Sequence, residues 1–402
     1  MFIKLDKPTS TILMTRRIDS KFFNVKVNQT SVMTMYRSYV NILTAFSILA
    51  VDFRIYPRYF HKSKTYGTSL MDTGLGFFLV SNAFVSPEAR GLINKQSFRT
   101  TGINVAMDTI PLLILGTLRY VVLDAIEYSV YINDYGLHWN FFFTLVVIKL
   151  CSVLLYSVTP KCLRKYLGLV IICLHQSVLM VPAFLSFVLD GYDGNGSRDG
   201  IIDANREGIV SCVGFLGLYL IGVEIGTFIM KRRETVYDHI KVLLYISVIS
   251  STAWFLLDSV TAIQPPSRRL ANSSYVVFMI GLSTFILIPG LLVTIFVSYM
   301  KKLRETRVPA CGTNDKVMKN SSNLLEAVNY NGLAFFVVAN LLTGLVNIAI
   351  DTREQSDTLA FIYLTLYMLV LCILFSLLYK YEIKVKTMIC RSMKRSTSAD
   401  QR

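Results

Sequence analysis

The stretch Tyr135-Gly136-Leu137-His138-Trp139-Asn140 sets an imidazole, an indole and a carboxamide at the mouth of an apolar segment, Phe141–Val158, that only Lys149 interrupts. Asp124, Glu127 and Asp134 lie just before it. Polar groups are costly at a lipid boundary unless they are paired or used, so this is the first candidate site. An imidazole with its ordinary pKa of about 6.5 takes or gives a proton near neutral pH. Asp134, one helical turn before His138 if the segment is helical, is placed to orient the ring. The competing reading makes His138 an interfacial residue that supports Trp139 in the head-group belt.

Holding such a cluster at a bilayer surface requires membrane spans, and the chain supplies them. It has 402 residues, 53% of them hydrophobic, with a mean hydropathy of +0.50. Apolar runs of about 20 residues, long enough to cross a bilayer core as helices, recur along nearly its whole length. They are apolar all round and separated by short charged connections, which excludes a soluble protein built from amphipathic helices. The expected fold is all-α, a polytopic transmembrane bundle of ten spans over 33–51, 67–87, 102–123, 139–158, 166–189, 208–230, 240–262, 272–299, 332–350 and 358–379. A basic, non-spanning segment 1–32 precedes the membrane domain 33–379, and a basic tail 380–402 follows it. No continuous apolar stretch of a cleavable signal peptide occurs before Val27, so the first span is expected to direct membrane insertion.

The formal charge is 41 − 26 = +15. In a soluble chain that would suggest nucleic acid, but here Lys and Arg sit mainly in connections and tails, as positive-inside asymmetry predicts. The connections 88–101, 159–165, 231–239 and 300–331 are net basic, whereas 124–138, 190–207 and 351–357 are net acidic. Alternation therefore puts both tails and the basic loops in the cytosol and the acidic loops in the lumen. Seven cysteines without C-x-x-C spacing define neither a disulfide framework nor a zinc site. No internal repeat, Walker loop, dinucleotide fingerprint or H-x-x-x-D signature is present.

The connection 52–66 falls on the lumenal side yet carries Arg54, Arg58, Lys62 and Lys64 against Asp52 alone. Either a short loop tolerates its charge, or these cations bind an anionic head group, since an Arg fork meets phosphate bidentately. Asp72, Asp108, Arg119, Lys149, Glu224 and Asp258 lie within spans, where ionisable groups face a bundle interior or a wet cavity. The loop 190–207 is rich in Gly and carries Asp190, Asp193, Asp199 and Asp203 with Asn195, Asn205, Arg206 and Glu207. Its spacing lacks the order of a calcium loop, so no metal is expected. It reads as a polyol-binding loop in which Asp193, Asp203 and Asn205 accept hydroxyl protons and Arg206 opposes a phosphate. The alternative is helix capping by Asp203 or Asn205, with Glu207 in the first turn.

The segments AVDFRIYPRYFHKSKTYGTSLMDTGLGFF (50–78), DYGLHWNFFFTL (134–145), DGNGSRDGIIDANREGI (193–209), SRRLAN (267–272) and LLTGLVNIAIDT (341–352) resemble the inositol acyltransferases of GPI-anchor biosynthesis. The likeness runs from about residue 38 to about residue 380. It implies transfer of a long-chain, palmitoyl-like acyl group from acyl-CoA to the inositol of glucosaminyl-phosphatidylinositol in the endoplasmic reticulum membrane, with no bound cofactor. Members of that family have about thirteen spans, each near the ~20 residues that cross a bilayer, which would start this chain near the family's fourth. Within that implied reaction His138 is the candidate general base, Asp134 its orienting partner, and Asn140 or Lys149 the oxyanion donor. Asp52, Arg54, Arg58, Asp72, Asp193, Asp203, Asn205, Arg206 and Glu207 are the candidate lipid-binding residues. The runner-up is a transporter or scramblase of an anionic lipid or solute, because buried ionisable groups in such a bundle also suit a translocation path.

Overall fold

The computed structural model describes residues 29–92, 98–125, 132–231, 236–307 and 324–385. Most of the basic N-terminal segment and of the C-terminal tail, together with Glu127 and much of the 300–331 connection, lies outside the described residues. Among the described residues every regular element is a helix. Seven helices are long and apolar enough to cross a membrane, within Thr100–Val122, Phe141–Val158, Arg206–Met230, Tyr237–Ile263, Ser273–Met300, Gly332–Ala349 and Asp357–Lys380.

Three expected spans differ. Arg164–Leu179 and Pro182–Asp190 are one apolar stretch bent by 86° rather than the single straight span expected over 166–189. Pro182 opens the second piece, where it has no N–H to continue the ladder, so the chain turns at Met180 and Val181. Leu70–Phe84 has 15 residues, a rise of about 22 Å at 1.5 Å per residue, short of a hydrocarbon core of about 30 Å. Gln29–Ala50 is long enough, but Arg37, Asn41 and its Thr and Ser residues leave it outside the apolar class.

Arg206–Met230 is the central helix, with 67% of its apolar window buried, the largest share of the seven. It packs on Leu70–Phe84, Phe141–Val158 and Arg164–Leu179 around Phe215, Leu218, Leu220 and Val223. A second core, with Leu49, Phe53, Phe335, Tyr367 and Phe375, joins Gln29–Ala50 to the helices beyond Leu324. Phe336 bridges the two by ring contacts with Phe78, Phe141 and Phe142. At the membrane end where Arg206–Met230 begins, the connections 52–69, 132–140, 190–205 and 264–272 interlock. Gly67 N–H donates to Pro266 O, Leu137 N–H to Ala204 O, and Gly208 N–H to Tyr135 O, each at 2.8 Å.

Candidate functional site

The interlocked end is held by buried charge. Ser69 caps Leu70–Phe84 in a capping box with Asp72, which places the fully buried Asp72 carboxylate at the helix start. That carboxylate accepts from Ser63 N–H at 3.0 Å and from Arg268 Nε at 3.0 Å. Arg268 reaches on to Asp134 through Nη2, and Lys62 Nζ pairs with the second oxygen of Asp134. The Tyr135 ring lies 5.7 Å from the same guanidinium. Burial opposes charge on Asp134, but the Arg268 and Lys62 cations outweigh it and hold the carboxyl below its ordinary range. The same anions hold Arg268 firmly protonated although it is buried.

A second network sits beside the first. Arg198 grips both oxygens of Glu207 at 2.7 and 2.8 Å, and Arg269 Nη2 adds a third contact at 2.8 Å. Arg206, 1% exposed, donates to Asp203 Oδ1 at 2.8 Å and to the carbonyls of Ser197 and Val188. Asn205 accepts from His138 N–H at 2.8 Å and donates to Ile201 O. The expected polyol-binding loop is therefore a self-satisfied clasp. Asp203, Asn205, Arg206 and Glu207 are buried and bonded within the loop, and Arg206 at 1% exposure presents no open fork to a phosphate. Asp193 alone among those candidates is exposed, and its Oδ1 tightens a turn by accepting from Asn195 and Ser197 N–H groups, which holds its carboxyl below the usual range. Gly136, at φ +116°, lets this clasp close, because a Cβ there would stand 2.6 Å from Asn205 Cα.

The first candidate cluster is likewise rearranged. Asp134 does not orient His138, since both its oxygens are taken by Lys62 and Arg268. The His138 ring is exposed and lies 5.5 Å from Tyr120, while Trp139 Nε1 donates to Thr144 at 3.0 Å. Asn140 caps Phe141–Val158 by accepting from Phe142 and Phe143 N–H and gives its own amide to Gly116 O at 2.9 Å. Lys149 is paired with Asp108 at 2.8 Å within the span. Asn140 is thus committed to its cap and to Gly116, and Lys149 to its ion pair within the span.

Asp52, by contrast, borders open space. It stands just past Gln29–Ala50, half-buried, and accepts from Asn347 Nδ2 at 2.8 Å. Both residues line an open cavity of about 410 Å³ together with residues 348–353. Burial raises the Asp52 carboxyl above its ordinary range, partly offset by Asn347, Arg353 and His61. His61, which acts electrostatically on Asp52, immediately precedes Lys62 of the Asp134 network in the sequence. Arg54 and Arg58 are exposed beside it on the same connection and make no ion pair among the described residues.

The comparisons with known proteins bear on this geometry directly. The GWT1 family matches residues 4–378, nearly the whole chain. This chain belongs to the GWT1 family. It is 33% identical over 393 residues to the glucosaminyl-phosphatidylinositol-acyltransferase PIGW of Bos taurus, covering 92% of this chain and 78% of that protein. The human protein of the same name is 32% identical over 90% of this chain and 76% of its own length. The GPI-anchored wall transfer protein 1 of Candida glabrata is 34% identical over 88% of this chain and 75% of its own. The resemblance drawn from the sequence segments is thus confirmed at the level of the family.

Within this GWT1-family chain, sequence reasoning missed Arg198, Arg268, Arg269 and Asn347 as members of the site. The two arginines of Ser267-Arg268-Arg269 were visible as part of a family-like segment, but nothing local told that they cross to Asp72, Asp134 and Glu207. Asn347 lies in another such segment and pairs with a residue 295 positions away.

Proposed function

We propose that the chain is an O-acyltransferase of GPI-anchor biosynthesis in the endoplasmic reticulum membrane, moving a long-chain, palmitoyl-like acyl group from acyl-CoA to an inositol hydroxyl of glucosaminyl-phosphatidylinositol. The observation that carries this reading is the identity of about a third, over some nine-tenths of the chain, to proteins named for that acyl transfer. The site supports it. Asp52 takes the proton of the acceptor hydroxyl, because of the two carboxylates lining the cavity, Asp52 and Asp351, it is the half-buried one held by Asn347, and burial brings its pKa nearer the working pH. The hydroxyl oxygen bonds to the thioester carbonyl carbon, the C–S bond breaks with its electron pair on sulfur, and the proton ends on the departing thiol. Lys62, 42% exposed while Asp134 holds it, supplies a cation for the negative charge that develops on the carbonyl oxygen. Arg54 and Arg58 meet the lipid phosphate. His138 remains a second proton acceptor on the same membrane end.

Counting Gln29–Ala50, Leu70–Phe84 and the bent pair as one crossing each gives ten with the seven apolar helices. An even number sets both tails on one side, and the charge alternation of the connections supports a lumenal interlocked end with cytosolic tails. The basic connections of the opposite face then meet the CoA head group, and the apolar spans offer a slot for the acyl chain.

The test is incubation of membranes containing the chain with glucosaminyl-phosphatidylinositol and labelled acyl-CoA. Labelled acyl-inositol lipid without vectorial transport is the expected result. Transport of lipid or solute without acylation would establish the transporter reading in its place.

A further inference from the structure

Asn347 occupies the last turn of Gly332–Ala349, where its Nδ2 donates 2.8 Å to Asp52 Oδ2. Its own Oδ1 is buried without any partner. An asparagine placed for packing alone would turn to satisfy its oxygen, since a buried acceptor left unpaired is costly. Turning this amide would set its carbonyl oxygen against the Asp52 carboxylate, so the observed orientation serves the carboxylate at the expense of the amide.

The next residues of the chain, Ile348–Arg353, line the same cavity as Asp52. Asp351 and Arg353 are exposed there, an acceptor and a donor that with Asp52 and Asn347 suit a ring bearing several hydroxyls. Three elements face the Asp52 carboxylate. The helix brings Asn347, the 52–62 connection His61, and the 351–356 connection Arg353.

We propose that Asn347 is a positioning residue that fixes Asp52 toward this cavity, and that the cavity binds the polyhydroxylated ring of the acceptor lipid. This rests on the reading of Asp52 as the proton acceptor. The amide aims one carboxylate oxygen by holding the other, and the ring hydroxyl to be acylated enters between Asp52 and the 350–353 backbone. The site is completed by two segments distant in sequence whose neighbours, Ala50 and Phe53 on one side and Val346 and Ile350 on the other, pack in the same second core.

The experiment compares the full chain with Asp52→Asn, Asn347→Leu, Asn347→Asp and Asn347→Gln in detergent. It measures kcat against pH with glucosaminyl-phosphatidylinositol and labelled acyl-CoA, per amount of monodisperse protein. Asn347→Leu should lower kcat about 10²-fold, the cost of a misaligned reacting group. The acidic limb of its profile should move to higher pH, because a hydrogen bond to the ionised carboxylate is lost. Asn347→Asp, nearly isosteric and therefore the safer fold, should move the limb up by about one unit or more through like-charge repulsion. Asn347→Gln should restore the limb with part of the rate. Asn347→Leu and Asn347→Asp with the parent's kcat and limb would overturn this inference while leaving the reaction intact. Full activity in Asp52→Asn would overturn the base it rests on, and a parent chain that acylates nothing would overturn the proposed function itself.

Discussion

Arg198 and Glu207 meet as a two-pronged pair, with both carboxylate oxygens held at 2.7 and 2.8 Å and the Glu207 side chain wholly buried. Nine residues separate them, so the pair closes the 198–207 turn onto the start of the central helix. Glu207→Gln keeps the shape and removes the charge, leaving Arg198 and Arg269 without their anion. Breaking a buried pair in this way costs about 3–5 kcal/mol. The expected outcome is a thermal midpoint in detergent lowered by several degrees, with near-normal KM for both substrates in the protein that survives. A stable variant with a KM for the lipid raised tenfold would return Glu207 to the substrate-binding set.

Asp134 carries a pH signature. Its carboxyl is held below the ordinary range in the folded chain, because Arg268 and Lys62 outweigh burial. A depressed folded pKa contributes stability that is present above the unfolded value of about 3.9 and is lost as pH falls through the folded value. Thermal stability should therefore not change through Asp134 between pH 8 and 5, and its contribution should fade only below about pH 4. Asp134→Asn should abolish that acid step and weaken the protein at neutral pH. An acid step that persists unchanged in Asp134→Asn would assign it to another carboxylate.

Much of this architecture was legible because hydropathy acts locally. The ten expected spans fall on helical segments, seven of them long and apolar enough to cross. The span count grouped 52–66 with the acidic 124–138, 190–207 and 351–357 on one side, where Lys62 meets Asp134, Leu137 meets Ala204 and Asp52 and Arg353 line one cavity. What failed was the distinction between an ionisable group that is available and one that is consumed. Arg206 and Arg58 look alike in sequence, yet one is 1% exposed with four acceptors and the other stands open. The partners that decide this, such as Arg268 for Asp134 at 134 positions, are set by packing of distant helices, which periodicity and spacing do not encode. The bend at Pro182 was readable in principle, since proline lacks the N–H a continuous span needs there.

Arg58 tests the lipid phosphate contact. The side chain is exposed and makes no ion pair among the described residues, so Arg58→Gln should leave folding untouched. It should raise the apparent KM for glucosaminyl-phosphatidylinositol while leaving the KM for acyl-CoA and kcat nearly unchanged, the pattern of lost uniform binding. The defect should shrink at high salt, where an exposed cation already contributes little to the parent. An effect confined to acyl-CoA would move Arg58 to the donor side and with it the orientation of the whole connection.

Asp52 and His138 are two candidate proton acceptors at the same end of the bundle, and their environments predict opposite results. Asp52 lines the cavity, is held by Asn347, and has its pKa raised by burial. His138 is fixed through its backbone N–H by Asn205, its ring lies exposed on Tyr120, and no carboxylate orients it because Asp134 is consumed by Lys62 and Arg268. Asp52→Asn should preserve size and the contact with the Asn347 amide while removing proton acceptance. Turnover should then fall by the ~10²–10⁴ that a lost general base costs, with lipid binding retained. His138→Gln should keep more than about a tenth of the parent's turnover, since that loss is too small for a missing base. Measured side by side at saturating substrates, the two variants discriminate whichever way they fall. Should His138→Gln lose the larger factor and Asp52→Asn the smaller, the proton goes to the imidazole, and the cavity at Asp52 serves binding alone.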